Sequence, residues 1–278
     1  ITKVLDKDGR GEYHLFVARW KESVPKGHMY WPHSEVAHAV SKRTDGDFKV
    51  IEVLGQGHNP ELFRCKDGSW ACYCINDKKP AQACLYRAKN INGPWTLERM
   101  QLDLNGRKLI EGESNFSFCT RPDGSVLAVC RGGGIWLSED GLKPFVQQTD
   151  RVYPNVAGRF EDPVLWRDEV QYHMIVNDWL GRVAWKLVSP DGFHWTTLPG
   201  EAYTPGIDTV DWFKYERMRV FQDEYGRVIQ ANFAVIDCVK KEDKGGDIHS
   251  SKNITIPVNP GRRVQSFRAT RKGLERRI

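Results

Sequence analysis

The chain has 278 residues, 40% of them hydrophobic and 28% charged, with a formal net charge of +5. This is the composition of a folded protein with a sizeable core, so wholesale disorder and fibrous repeats are excluded. No run approaches the roughly 18 apolar residues of a membrane span, and the modest charge makes no case for nucleic acid.

Ten Trp and 25 Gly, without long Ala/Leu-rich blocks, point to β-structure. In chain order, one pattern recurs five times: an apolar strand, an Asp-Gly-type turn, and a second apolar strand. The segments are Ile1–Arg19, Asn59–Ile75, Asn115–Arg131, Asp162–Asp178 and Arg217–Val235. Each reads as a β-hairpin, and alternation is plain in Val170–Val176 and Val228–Val235. Behind the first four follow an apolar strand, a polar turn and an aromatic: HAVSKRTDGDF, YRAKNINGPW, IWLSEDGLKPF and KLVSPDGFHW. Behind the fifth comes Lys252–Val258. Four strands in roughly 45 to 55 residues, five times over, predict a five-bladed β-propeller occupying 1–278 as one all-β domain. A β-sandwich with regularly spaced turns is the competing architecture. The basic tail Arg262–Ile278 reads as a solvated face or packing helix, not a nucleic-acid site.

The seven cysteines (65, 72, 74, 84, 119, 130 and 238) form no CxxC pair and sit mostly in apolar runs. They read as free thiols inside strands, with neither a zinc site nor a disulfide framework. The chain opens at Ile1 without Met and without an apolar signal segment, which reads as a processed or trimmed start.

Register adds detail. Gly68, Gly124 and Gly226 each lie nine positions after Asn59, Asn115 and Arg217. The same offset from Gly9 puts the first blade's equivalent residue just before Ile1, so that blade is expected to be incomplete at its entry.

In a propeller the inner strands of all blades line a central channel, and their entry ends converge on one face. The entry ring collects His58, Asn59, Glu113, Asn115, Arg159, Glu161, Asp162, Glu216 and Arg217. The exit ends of the second strands add Arg19, Trp20, Asn76, Asp77, Arg131, Asn177, Asp178, Trp179 and Asp237. Crowded charge at strand ends is costly unless paired or functional. Asp67, Asp123 and Asp191 read as turn formers. Trp95, Trp136, Trp185 and Trp195 read as wedges between blades, whereas Trp20, Trp31 and Trp179 adjoin polar loops and suit stacking on a sugar face. No nucleophile elbow, phosphate loop, HExxH or EF-hand pattern occurs, and Arg131–Gly134 reads as a connector. Paired carboxylates remain, and such pairs suit glycoside hydrolysis.

At this point the sequence resembles the five-bladed propeller glycoside hydrolases of the family 43 and family 117 type. The resemblance rests on His58-Asn59-Pro60, Arg159-Phe160-Glu161-Asp162-Pro163, Tyr215-Glu216-Arg217-Met218 and Asn253-Ile254-Thr255-Ile256-Pro257. It implies an oligosaccharide substrate and an exo-acting, inverting glycosidase. Glu161 matches the acid, with Asp162 or Asp178 setting its pKa. Glu216, or an aspartate before Ile1, is the second carboxylate, and His58 and His173 are candidates for the acid role. Asn59 and Asn115 stand where the resemblance leads one to expect a pKa-modulating aspartate, a departure from the family pattern. Substrate contacts are expected from Asn59, Asn115, Glu113, Arg19, Trp20, Trp31, His33, Arg131, Arg159, His173, Trp179 and Arg217. The arginines Arg19, Arg131, Arg159 and Arg217 suggest an anionic sugar. No cofactor is required, though the channel permits a structural divalent cation. A periplasmic or secreted bacterial location is expected. The alternatives are a non-catalytic carbohydrate-binding propeller, or a lyase or phosphorylase on the same fold.

Overall fold

A computed structural model describes residues 1–5, 11–21, 23–24, 31–77, 82–109, 114–203, 212–239 and 252–258. These form five sheets, the five blades of a β-propeller. Blade one runs β1 (Thr2–Leu5), β2 (Gly11–Trp20), β3 (Ser34–Ser41) and β4 (Lys49–Gln56) from the axis outward. Blade two follows with β5 (His58–Arg64), β6 (Trp70–Asn76), β7 (Gln82–Ala88) and β8 (Thr96–Arg99). Blade three takes β9 (Leu102–Asp103), β10 (Ser117–Thr120), β11 (Val126–Val129), β12 (Ile135–Ser138) and β13 (Phe145–Gln147), with β9 added parallel to β13 at the outer edge. Blade four is β14 (Phe160–Arg167), β15 (Tyr172–Asp178), β16 (Ala184–Ser189) and β17 (Thr196–Tyr203). Blade five shows three strands among the described residues: β18 (Lys214–Gln222), β19 (Val228–Ile236) and β20 (Lys252–Pro257). The five hairpins fall where the repeat predicts. The tail 262–278 and Glu113 lie outside the described residues. Among those residues no helix is long and apolar enough to cross a membrane.

Local chemistry explains the hairpins. Asp67 Oδ1 accepts from Ser69 N at 2.9 Å and Oγ at 2.6 Å, and Asp123 holds Ser125 in the same way. Asp191 accepts from the amides of Phe193 and His194. These aspartates form turns, as their sequence context predicts. At Gly226 the backbone is left-handed (φ 74°), and a Cβ would meet Asp168 Cα at 2.8 Å. Glycine therefore lets this turn pack on the turn of blade four.

Apolar residues alternate to fill the spaces between blades. One cluster joins blades two and three through Phe63, Tyr73, Phe116, Phe118 and Trp136. A second joins blades three and four through Leu127, Tyr153, Phe160 and Met174. Others join four to five and one to two. Trp95, Trp136, Trp185 and Trp195 all sit in these clusters, as wedges. The cysteines are free, and five of them are buried.

The inner strands share a further feature. Asn59, Asn115, Asp162 and Arg217 all adopt the left-handed backbone conformation, with φ of 55°, 53°, 52° and 54°. In blades two, four and five a β-bulge accompanies it, between His58 and Glu61, Glu161 and Val164, and Glu216 and Arg219. Asn and Asp tolerate this conformation best; an arginine there stores about 1 kcal/mol or more of strain. Bulges re-aim side chains, and here they bring four polar groups together at the axis.

Candidate active site

The four left-handed residues form an upper ring. The amides of Asn59 and Asn115 meet at 2.8 Å. The Asn115 amide reaches Asp162 Oδ1 at 3.0 Å and Glu161 Oε1 at 3.4 Å. Arg217 Nη1 lies 2.5 Å from Asp162 Oδ1 and 2.8 Å from the amide of Asn59. Each blade from two to five thus passes one contact to the next, and Arg217 closes the circle.

Two residues further along three of these strands, and three on blade four, lies a lower ring. Glu61 Oε1 accepts from Ser117 Oγ and from Phe118 N, each at 2.8 Å. Ser117 Oγ accepts in turn from Leu165 N at 3.0 Å. Arg219 Nη2 lies 2.6 Å from Glu61 Oε2. Burial raises the Glu61 pKa, and Arg219 with the two donors opposes the rise.

On the upper ring sits a carboxylate trio. Glu161, Asp162 and Glu216 each bring one oxygen within 4.8 Å of the others. Burial raises the Glu161 pKa most and the Asp162 charge raises it further, while Arg217 and Arg131 oppose both. Burial also raises Asp162, against the pull of Arg217. Lys214 pairs with Glu216, Arg131 Nη1 lies 3.7 Å from Glu161 Oε1, and Arg217 holds Asp162. Three cations thus stand against three carboxylates. Tyr203, close by, has its pKa pushed up by burial and by Asp162, Asp178 and Glu216.

Around the trio stand the exit-end residues. Arg131 Cζ lies 4.9 Å from the ring centre of Trp179, which is 44% exposed. Trp20, at the end of β2, is 37% exposed. His58 Nε2 pairs with Asp77 Oδ2 at 2.9 Å. Asp178 is at this face too, but its Oδ1 accepts from Arg182 N and Val183 N and shapes the turn after β15. Arg159 is exposed, and its carbonyl accepts from Trp179 N. His33 is exposed in a short 3-10 turn, Trp31–His33. The Trp31 side chain lies outside the described residues.

Two expectations need correction. His173 pairs opposite Trp166, five residues before Asp178, at the far end of blade four. Glu161 pairs opposite Asn177, four residues from His173, so at about 3.3 Å per residue His173 lies roughly 13 Å along the strand from Glu161. There it pairs with Asp168 at 2.7 Å and stacks on Trp166, so it neither contacts a sugar at this site nor serves as its acid. The arginine rim is also altered. Arg19 pairs with Glu35 at 2.9 Å, Arg131 with Glu161, and Arg217 with Asp162. Three of the four arginines thus have protein carboxylates as partners, which weakens the argument for an anionic substrate.

Sequence reasoning missed Lys214 and the whole lower ring. Both were within reach: Glu61, Ser117 and Arg219 lie two positions after Asn59, Asn115 and Arg217, and Lys214 two before Glu216, on one strand face. A cavity of about 810 Å³ lies on the other side of the upper ring. Its walls include Glu61, Arg219, Phe118 and Leu165, and it opens toward the hairpin turns at Arg121 and Arg167. Glu161 and Trp179 are not among its walls. Beside it β1 pairs only with Gly11–His14, leaving Leu15–Trp20 without an inner strand among the described residues.

No protein-family model and no curated protein matches the sequence. Solved structures do match in three dimensions. A family 43 β-1,3-galactosidase superposes with a TM-score of 0.60 at 16% identity, over 92% of this chain and 55% of that one. This chain therefore spans little more than half of that protein. An endo-arabinase from Bacteroides thetaiotaomicron gives 0.54 at 14% identity, over 92% of each chain. A family 117 glycoside hydrolase from the marine bacterium Zobellia galactanivorans gives 0.65 at 12%, over 92% of this chain and 82% of that one. This is the propeller fold of glycoside hydrolase families 43 and 117. At these identities the likeness is one of fold, and the chemistry must be argued from the carboxylates.

Proposed function

We propose that the chain is a glycoside hydrolase acting on an uncharged oligosaccharide end, with Glu161 as the proton donor. The observation that carries this reading is the buried Glu161–Asp162 pair, raised in pKa by burial and mutual repulsion and bordered by an exposed tryptophan. A carboxyl protonated near neutrality can give its proton to a glycosidic oxygen. Asp162 sets the Glu161 pKa; Trp179 and Trp20 offer their faces to the sugar. The upper ring lies across the channel beneath the carboxylates, which suits entry of a chain end and hence exo action.

Glu216 fits poorly as the water-activating base of an inverting reaction with Glu161. Inversion needs carboxyls roughly 6.5–9.5 Å apart to seat the water, and these oxygens lie within 4.8 Å. Glu216, paired with Lys214, instead acts as a neighbouring charge that helps keep Glu161 protonated.

The test is a screen of neutral aryl glycosides and oligosaccharides, with Glu161→Gln as control. The variant should bind a cleaved substrate yet turn it over at least ~100-fold more slowly. An unchanged rate would remove Glu161 from the mechanism. A second reading, a carbohydrate-binding propeller, draws on Asn59 and Asn115, amides at the positions where the resemblance expects carboxylates. It predicts glycan binding with no released product.

A further inference from the structure

The upper ring has two self-consistent directions for its hydrogen bonds, and Arg217 chooses between them. In one, Asn59 Nδ2 donates to Asn115 Oδ1, and Asn115 Nδ2 donates to Asp162 Oδ1. That direction suits an ionised carboxyl pair. It also turns the Asn59 NH2 group into Arg217, whose Nη1 and Nη2 lie 2.8 and 3.1 Å away. A guanidinium only donates, so two donors would face each other.

Turning the Asn59 amide removes the conflict: its Oδ1 accepts from both Arg217 nitrogens, and its Nδ2 comes within 3.2 Å of His58 Nδ1. The consequence passes along the ring. Asn115 must now offer its NH2 group to Asn59 across the 2.8 Å contact. Its carbonyl oxygen then faces Asp162 Oδ1 at 3.0 Å and Glu161 Oε1 at 3.4 Å. A carbonyl and a carboxylate are both acceptors, and they share such a contact only when the carboxyl carries a proton.

We propose that the ring Asn59–Asn115–Asp162–Arg217 holds one proton on the Glu161–Asp162 pair by fixing the Asn115 carbonyl toward it. Asn59, Asn115 and Arg217 are then positioning residues and not substrate contacts. The proton belongs to the pair, because Arg217 also touches Asp162 Oδ1 and favours its charged form. The other charged or titratable groups around the pair are Arg131, Glu216, Lys214, Arg219, Asp178, Tyr203 and, beyond Asn59, His58. For the proposed hydrolysis the ring keeps the acid loaded, and the inference rests on that reading for its purpose.

The test is a titration of the Glu161 and Asp162 carboxyl carbons by NMR, from about pH 4 to about pH 9, in the intact chain and two variants. The pair should keep one proton at neutral pH. Asn59→Gly, which the left-handed φ of 55° accepts without strain, uncouples Asn115 from Arg217. Asn115 can then turn its NH2 group to the carboxyls, and the midpoint should fall by about 1 pH unit. Asn59→Asp keeps the acceptor facing Arg217 and Asn115, and its midpoint should stay or rise. Two ionised carboxyls at neutral pH in the unaltered chain would overturn the proposal, as would an unmoved midpoint in Asn59→Gly. A retained proton in a protein that cleaves no glycan would support the ring and remove the hydrolase reading. Cleavage by a fully ionised pair would overturn the ring alone.

Discussion

The lower ring surrounds one carboxylate with donors: Glu61 is held by Ser117 Oγ, by the Phe118 amide and by Arg219. The upper ring, two residues away on three of the strands and three on blade four, is less generous. Among the described residues Asp162 Oδ2 and Glu61 Oε2 are both buried without a hydrogen bond, but Arg219 lies 2.6 Å from Glu61 Oε2, whereas Glu161 is approached at 3.4 Å by Asn115 and 3.7 Å by Arg131. The blades are the same and so is the depth, to within one strand pleat. What differs is how far charge is compensated. A buried charge that is fully paired ties strands together; one left short of donors holds its proton and stays available for chemistry.

The largest effect should come from breaking the lower ring. Arg219→Met leaves Glu61 buried with its counter-ion gone, and removing one partner of such a pair costs about 3 kcal/mol. Urea unfolding measures it. A loss below about 1 kcal/mol would mean that the lower ring adds little to stability, and the contrast between the rings would fail.

A smaller effect separates the rings by pH. The folded pKa values of Glu161 and Asp162 lie above the ordinary carboxylate values of about 4. In the window between those values and the raised ones, the folded state binds more protons than the unfolded state. Stability therefore falls as pH rises through that window. Asp162→Asn should flatten this decline by about 1 kcal/mol. Glu61→Gln should flatten it less, because Arg219 and two donors oppose the rise that burial gives the Glu61 pKa. Thermal unfolding at about pH 5 and about pH 8 checks both. Equal flattening by the two variants would put the rings on the same footing.

How much of this was legible in the sequence depended on whether a residue signals through its side chain. The nine-residue offset marks Asn59, Asn115 and Arg217, and all three are left-handed at the axis. Asp162 holds the same position without that marker, because the fourth hairpin turns through Asp168–Gln171 and has no glycine. In the lower ring, blade four contributes only the amide of Leu165, which no sequence pattern can mark. His173 shows a different limit. Strand alternation gives the face of a side chain but not its distance from a chosen strand end, and His173 lies at the other end. The arginines show a third. Their number is visible in the sequence, but Glu35 becomes the partner of Arg19 only once β2 and β3 are paired in register.

The smallest predicted effect concerns the rim above the upper ring. Arg131 lies under Trp179 and reaches Glu161, so this cation links an aromatic surface to the acid. Trp179→Ala removes a sugar-stacking face and one neighbour of Arg131, and should weaken oligosaccharide binding by about 1 kcal/mol, roughly fivefold. Calorimetry in a Glu161→Gln background reads this without turnover. Trp179→Phe should recover most of the loss, since a ring remains over the guanidinium. Glu61→Gln in the same background should leave affinity unchanged, because the lower ring lies beneath the floor that the sugar meets. If Glu61→Gln weakens binding as much as Trp179→Ala, ligand reaches past the upper ring into the 810 Å³ cavity. The division between a reactive ring and a structural one would then have to be redrawn around that cavity.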